Sequence, residues 1–180
     1  MMRVQFQTKR IVVCGLLCAI GVVLGGLLSV PAFPLGVYSV KISLANLPVI
    51  LSGVLFGPLY GAIVGGLTDF LQALLFPKGA FVPWFTLVST LFGLIPGLFF
   101  RHGEKVTFPR LAAAVVSGQV VGSLLLNTLL MVWLYGLPFW SLLPTRLINQ
   151  SIMIPLFVVI IYLLVPLLER HGVRFPRQEH

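Results

Sequence analysis

The stretch LINQSIMIPLFVVIIYLLVPLL at positions 147–168 runs for twenty-two residues without a charge. A helix that crosses a bilayer needs about 20 predominantly apolar residues, and hydrocarbon admits only backbone whose polar groups are satisfied internally. The stretch therefore reads as a membrane-spanning helix. Outward from it, four more uncharged runs cover residues 11–40, 42–68, 79–100 and 111–145. The fold class that follows is an all-α membrane protein, a single transmembrane domain over residues 1–180.

Composition agrees. Of 180 residues, 58% are hydrophobic and 9% charged, against roughly 25% charged in soluble domains. So few charges cannot cover a water-exposed globule, which excludes a soluble enzyme. The net charge of +8 would point to nucleic acid in a soluble chain; here the positive-inside rule accounts for it, and no nucleic-acid partner is expected. Breaks at Pro31, Pro34, Phe56-Gly57-Pro58, Pro77-Lys78-Gly79, the charged connector 101–110 and the aromatic loop 136–144 divide the chain into six helices. They are expected at about 8–28, 42–55, 59–76, 82–100, 111–134 and 145–168, followed by a polar cytoplasmic tail at 169–180. The basic start before an apolar run imitates a signal peptide, but a signal core is about 7–15 residues, so a retained first helix is the expectation.

Charge placement orients the bundle. With both termini inside, Arg3, Lys9, Arg10, Arg101, Lys105, Arg110, Arg170, Arg174 and Arg177 are cytoplasmic, and only Lys41, Lys78 and Arg146 are external. Nine against three is the asymmetry that short loops in a plasma membrane carry. Each external cation stands at the end of an expected helix, where a long side chain reaches the headgroups. Together they would suit a ligand with carboxylates. Arg146 has Asn149 and Gln150 one turn below it, so a cationic fork and amides share one side of that helix.

Asp69 is the one acidic residue inside an apolar run, where a charge is costly unless it meets a partner or a cavity. Gln72 follows one turn later. Asp69 either pairs internally with a basic side chain or is solvated near the interface, or it has a functional role, as an acceptor for ligand N–H groups or a member of a proton relay. Aromatic residues gather toward the same end, among them Tyr38, Trp84 and Phe85; interfacial belts explain most such residues, and Trp84, beside Pro83, is the best stacking candidate. Small residues at four-residue spacing, including Gly15 and Ala19, allow close helix contact in lipid. Cys14 and Cys18 read as small packing residues. No other Cys or embedded His is present to complete a metal site, and no cofactor is expected. The chain has no G-x-S-x-G, H-E-x-x-H or Gly-Lys-Ser/Thr phosphate loop. It is therefore read as no enzyme, with any ATP hydrolysis left to other subunits.

Several motifs carry a family likeness: Gly66-Leu67-Thr68-Asp69, Leu74-Leu75-Phe76-Pro77-Lys78-Gly79-Ala80, Pro83-Trp84-Phe85-Thr86-Leu87 and Gly93-Leu94-Ile95-Pro96-Gly97-Leu98. Asn127-Thr128-Leu129, Leu143-Pro144-Thr145-Arg146 and Met153-Ile154-Pro155 belong to the same set. With these the chain resembles the substrate-binding S components of energy-coupling-factor (ECF) vitamin transporters, within them the folate-specific type. The resemblance implies an external pocket for folate, energised by a transmembrane T component and two ATPases. It assigns Arg146, Lys41 and Lys78 to the carboxylates, Asp69, Gln72 and Asn149 to polar ring groups, and Trp84, Phe85 and Tyr38 to stacking. It also assigns Gly15 and Ala19 to contact with the T component. The alternatives are an S component for another vitamin and, less favoured by the lack of a continuous polar path, a stand-alone carrier or pore. Gly36 and the prolines of residues 29–41 allow that segment to act as a lid.

Overall fold

The computed structural model describes residues 2–26, 30–33, 40–42, 44–76, 82–100 and 106–170. In chain order these form α1 (Met2–Gly26), β1 (Val30–Phe33), β2 (Val40–Ile42), α2 (Asn46–Phe56), α3 (Pro58–Leu75), α4 (Pro83–Leu98), α5 (Phe108–Tyr135) and α6 (Phe139–Arg170). Six helices are thus present, as expected. Tyr38 and Lys78 lie outside the described residues, as do residues 171–180 of the expected tail.

Helix α1 begins at Met2 and α5 at Phe108, earlier than the expected 8 and 111, and three further differences bear on the site. Over the expected loop 29–41 and the first residue of the expected second helix, β1 and β2 pair antiparallel, Val30 with Ile42 and Pro31 with Lys41; β-branched and aromatic residues at Val30, Phe33, Val40 and Ile42 favour extended backbone. Helix α2 accordingly begins at Asn46 rather than at 42. That start puts Pro48 in the first turn, where its missing N–H costs nothing; a start at 42 would have cost a ladder bond. Helix α6 begins at Phe139 rather than 145, because the chain reverses at Gly136, in the left-handed region at φ 63, and Pro138 accepts the first helical bonds from Ser141 and Leu142. Pro144 therefore lies inside the helix. It recurs as Pro155 and Pro166 at eleven-residue spacing, about three turns, so all three share one exposed stripe and spare the packing face.

By length and composition, α1, α3, α5 and α6 can each cross a membrane. At 1.5 Å per residue, α4 measures about 24 Å and α2 about 16 Å, both short of the roughly 30 Å hydrocarbon core. Helix α2 lies at the centre: every residue from Leu47 to Phe56 is buried, and α1, α3, α4 and α6 pack around it. A helix apolar on all sides belongs in such a position. Helices α2, α3 and α4 meet through Gly53, Gly61 and Gly93. A Cβ on Gly61 would fall 2.7 Å from the Gly53 Cα, and one on Gly93 2.8 Å from the Gly61 Cα. Backbones approach this closely in lipid only across small residues.

Candidate ligand site

The ends of four helices define one end of the bundle. Helix α4 runs antiparallel to α5, since Pro96 packs near Gly118 and Phe92 near Gly122. The start of α4 therefore stands with the end of α5, and so with the start of α6 and the end of α3. Strand β2, which carries Lys41, lies against α6 at this end. Arg146, Asn149, Asp69, Trp84 and Phe85 all belong to these segments.

Two polar clusters occupy this end. Between α3 and α4, Asp69 accepts from both sides: Thr86 Oγ1 donates to Oδ2 at 2.7 Å and Ser89 Oγ to Oδ1 at 3.1 Å. The residues that anchor Asp69 directly follow Trp84 and Phe85, in the first two turns of α4. Trp84 is 50% exposed, so its ring is open on one side, while Phe85 is half-buried. Between α5 and α6, Arg146 Nη2 donates to Asn127 Oδ1 at 3.4 Å. One turn deeper on α6 are Asn149 and Gln150, and the buried Ser123 and Thr128 line α5.

Gln72 points elsewhere than Asp69. Its Nε2 donates to the Gly21 carbonyl of α1 at 3.2 Å, one turn beyond Thr68, which donates to Cys18 Sγ at 3.4 Å. Residues three apart on a helix differ by about 60° in direction, enough for Asp69 to meet α4 while Gln72 meets α1. Both cysteines are free and buried, and Cys18 lies in that α1 contact. Among the described residues no group of three His, Cys, Asp or Glu is placed to hold a metal.

The sequence reading missed Thr86, Ser89 and Asn127 as partners, and Gln119 altogether. It also missed the π-helical turns over Val120–Asn127, whose wider winding exposes carbonyls; the Thr128 hydroxyl donates to one, that of Ser123. Isolated π turns inside α-helices occur frequently at functional sites. Lone amides in apolar runs were the available signal for Gln119 and Asn127, as Asp69 was among charged residues.

Residues 9–165 match the family described as ECF transporter, substrate-specific component. The chain belongs to this family. An S component is the substrate-binding subunit of a membrane transporter. Two relatives of this S component are each named folate transporter FolT. That of Clostridium novyi (strain NT) is 38% identical over 123 residues, 68% of this chain and 71% of its own. That of Streptococcus mutans serotype c is 26% identical over 171 residues, 92% of this chain and 90% of its own. Among solved structures, FolT bound with folic acid superposes with a TM-score of 0.74 at 31% identity, covering 87% of this S component and 92% of that chain. The S component of a bacterial ECF transporter shares the fold, with a TM-score of 0.65 over 90% of this chain and 98% of its own.

Proposed function

We propose that this S component is the high-affinity folate-binding subunit of an ATP-driven ECF importer. It sits in a prokaryotic plasma membrane with both termini cytoplasmic, captures folate from outside, and passes it through a T component driven by two ATPases. The observation that carries this reading is the cluster of polar groups at the end of the bundle where α3 and α5 end and α4 and α6 begin. A guanidinium (Arg146), amides (Asn127, Asn149) and an open aromatic ring (Trp84) meet there, in a chain whose solved relative binds folic acid.

Arg146 holds the glutamate carboxylates through its planar fork of donors, with Lys41 and Lys78 adding positive charge. Trp84, Phe85 and Tyr38 stack on the flat rings, and Asn149 meets polar ring groups. Asp69 fixes the start of α4, and with it Trp84, by accepting from Thr86 and Ser89; Gln72 pins α3 to α1. On the outer face of α1, Gly15 and Ala19 are exposed beside Ile11, Leu16 and Ile20, and a Cβ on Gly15 would meet no atom within 4 Å. This flat face is the docking surface for the T component.

Titration of the purified chain with folic acid, read by tryptophan quenching, tests the reading. The expected result is submicromolar binding that Arg146→Ala weakens. No binding at micromolar folic acid, or tighter binding of a different vitamin, would overturn it.

A further inference from the structure

Three amide atoms buried in α5 and α6 have no hydrogen-bond partner: Gln119 Nε2, Asn149 Oδ1 and Gln150 Oε1. Gln119 is 2% exposed and Gln150 8%. A buried amide left unpaired is a cost that folding alone does not explain, and hydrocarbon offers no water to relieve it. Gln119 stands near the middle of α5 (Phe108–Tyr135), far from either headgroup layer.

Their order along the α5–α6 pair follows from the register of the two helices. The Arg146–Asn127 bond sets the register of the antiparallel pair α5 and α6. Below it, Asn149 and Gln150 lie about one turn deeper on α6, and Gln119 about two turns deeper on α5. Gln150 shares the buried stripe of α6 with Met153 and Phe157. Gln119 shares a face of α5 with Val115 and Ser123, beside the Ala114-Gly118-Gly122 face that packs on α4. The π turns begin at Val120, directly after Gln119. The polar groups thus descend in order: guanidinium at the mouth, two acceptor oxygens below it, one donor nitrogen at the bottom.

We propose that Gln119 and Gln150 are specificity-determining residues of a deep subsite that reads the hydrogen-bonding edge of a planar pyrimidinone ring. Gln119 Nε2 donates to the ring carbonyl oxygen. Gln150 Oε1, with Asn149 Oδ1, accepts from the ring N–H and exocyclic amine. The proposal rests on the folate reading and extends it: the ring enters first and the carboxylates remain at Arg146. Buried polar groups that only the right edge satisfies reject ligands lacking that edge far more strongly than an apolar wall can.

The test uses the full chain in detergent, with Gln119→Met and Gln150→Met as near-isosteres and the corresponding Leu variants as a second set. Melting is followed without ligand. Binding is measured for folic acid, for pteroic acid, which lacks the glutamate, and for p-aminobenzoylglutamate, which lacks the ring. Replacing an unpaired amide by an apolar side chain should leave the ligand-free Tm unchanged or raised. Affinity for folic acid and pteroic acid should fall about tenfold or more, one hydrogen bond's worth, with p-aminobenzoylglutamate unaffected. Arg146→Ala should show the opposite selectivity, harming folic acid more than pteroic acid. A wild-type chain that ignores folic acid removes the folate reading and this proposal together. A wild type that binds folic acid, with Met and Leu variants equal to it, overturns the proposal alone. A lowered ligand-free Tm, with single losses that do not add in the double variant, would mean that the two amides bond each other and would also overturn it.

Discussion

Thr86 Oγ1 lies 2.7 Å from Asp69 Oδ2, a hydroxyl of α4 held by a carboxylate of α3 within the membrane. Ser89 takes the other oxygen. Hydrogen bonds to a charged group contribute about 1.5–3 kcal/mol each. Asp69→Ala should therefore lower the unfolding midpoint. In a double-mutant cycle with Thr86→Val, the coupling energy should come out at about 1.5–3 kcal/mol. Because α4 carries Trp84, folic acid affinity should fall as well. A coupling near zero would mean that the Asp69–Thr86 contact does not hold α4.

Arg146 differs from a lysine in its planar fork of five donors, which matches a carboxylate through two parallel bonds. Arg146→Ala should raise the Kd for folic acid about ten- to a hundredfold, the equivalent of about 1.5–3 kcal/mol. Arg146→Lys should recover part of that loss, because the charge remains without the fork. Isothermal titration separates the three proteins. Equal affinities would remove Arg146 from the ligand site.

Gly61 faces backbone, not a side chain that can turn aside: its added Cβ would come 2.7 Å from the Gly53 Cα. Gly61→Ala should push α3 away from α2 and α4 at a cost of about 1–3 kcal/mol. Gly15→Ala, where an added Cβ meets open space, should leave melting unchanged or raise it, since Ala is the better helix former. The contrast, read by thermal unfolding in one detergent, tests whether close packing or general helix propensity decides the outcome.

Ala19 is exposed on the flat outer face of α1. Ala19→Trp should abolish folate uptake in cells that supply the T component and ATPases, while the purified variant binds folic acid as before. Uptake at the wild-type rate would remove this face from the partner interface.

The number and order of the helices could be read from the sequence because apolar length and charge clustering are global signals. The helix starts at Asn46 and Phe139 could not, since each depends on where a proline falls in the first turns and on local chain reversal at Gly136. Asp69 and Arg146 stood out as lone charges in apolar surroundings. Their partners did not. Thr86 and Ser89 are unremarkable residues of α4 until the α3–α4 packing brings them to Asp69, and Asn127 meets Arg146 only across the turn that joins α5 to α6. Uncharged amides such as Gln119 carry the same meaning at membrane depth as a charge, but they are invisible to a reading that weighs charges alone.

Helix α2 has eleven residues and is joined to α3 through the single residue Gly57. During biosynthesis a segment about 16 Å long cannot hold a transbilayer position by itself, since its unpaired end groups would be left in hydrocarbon. The insertion machinery must therefore release α2 and α3 together, as one helical hairpin. The centre of the finished bundle is then filled only after its first wall, α1, is already in the lipid.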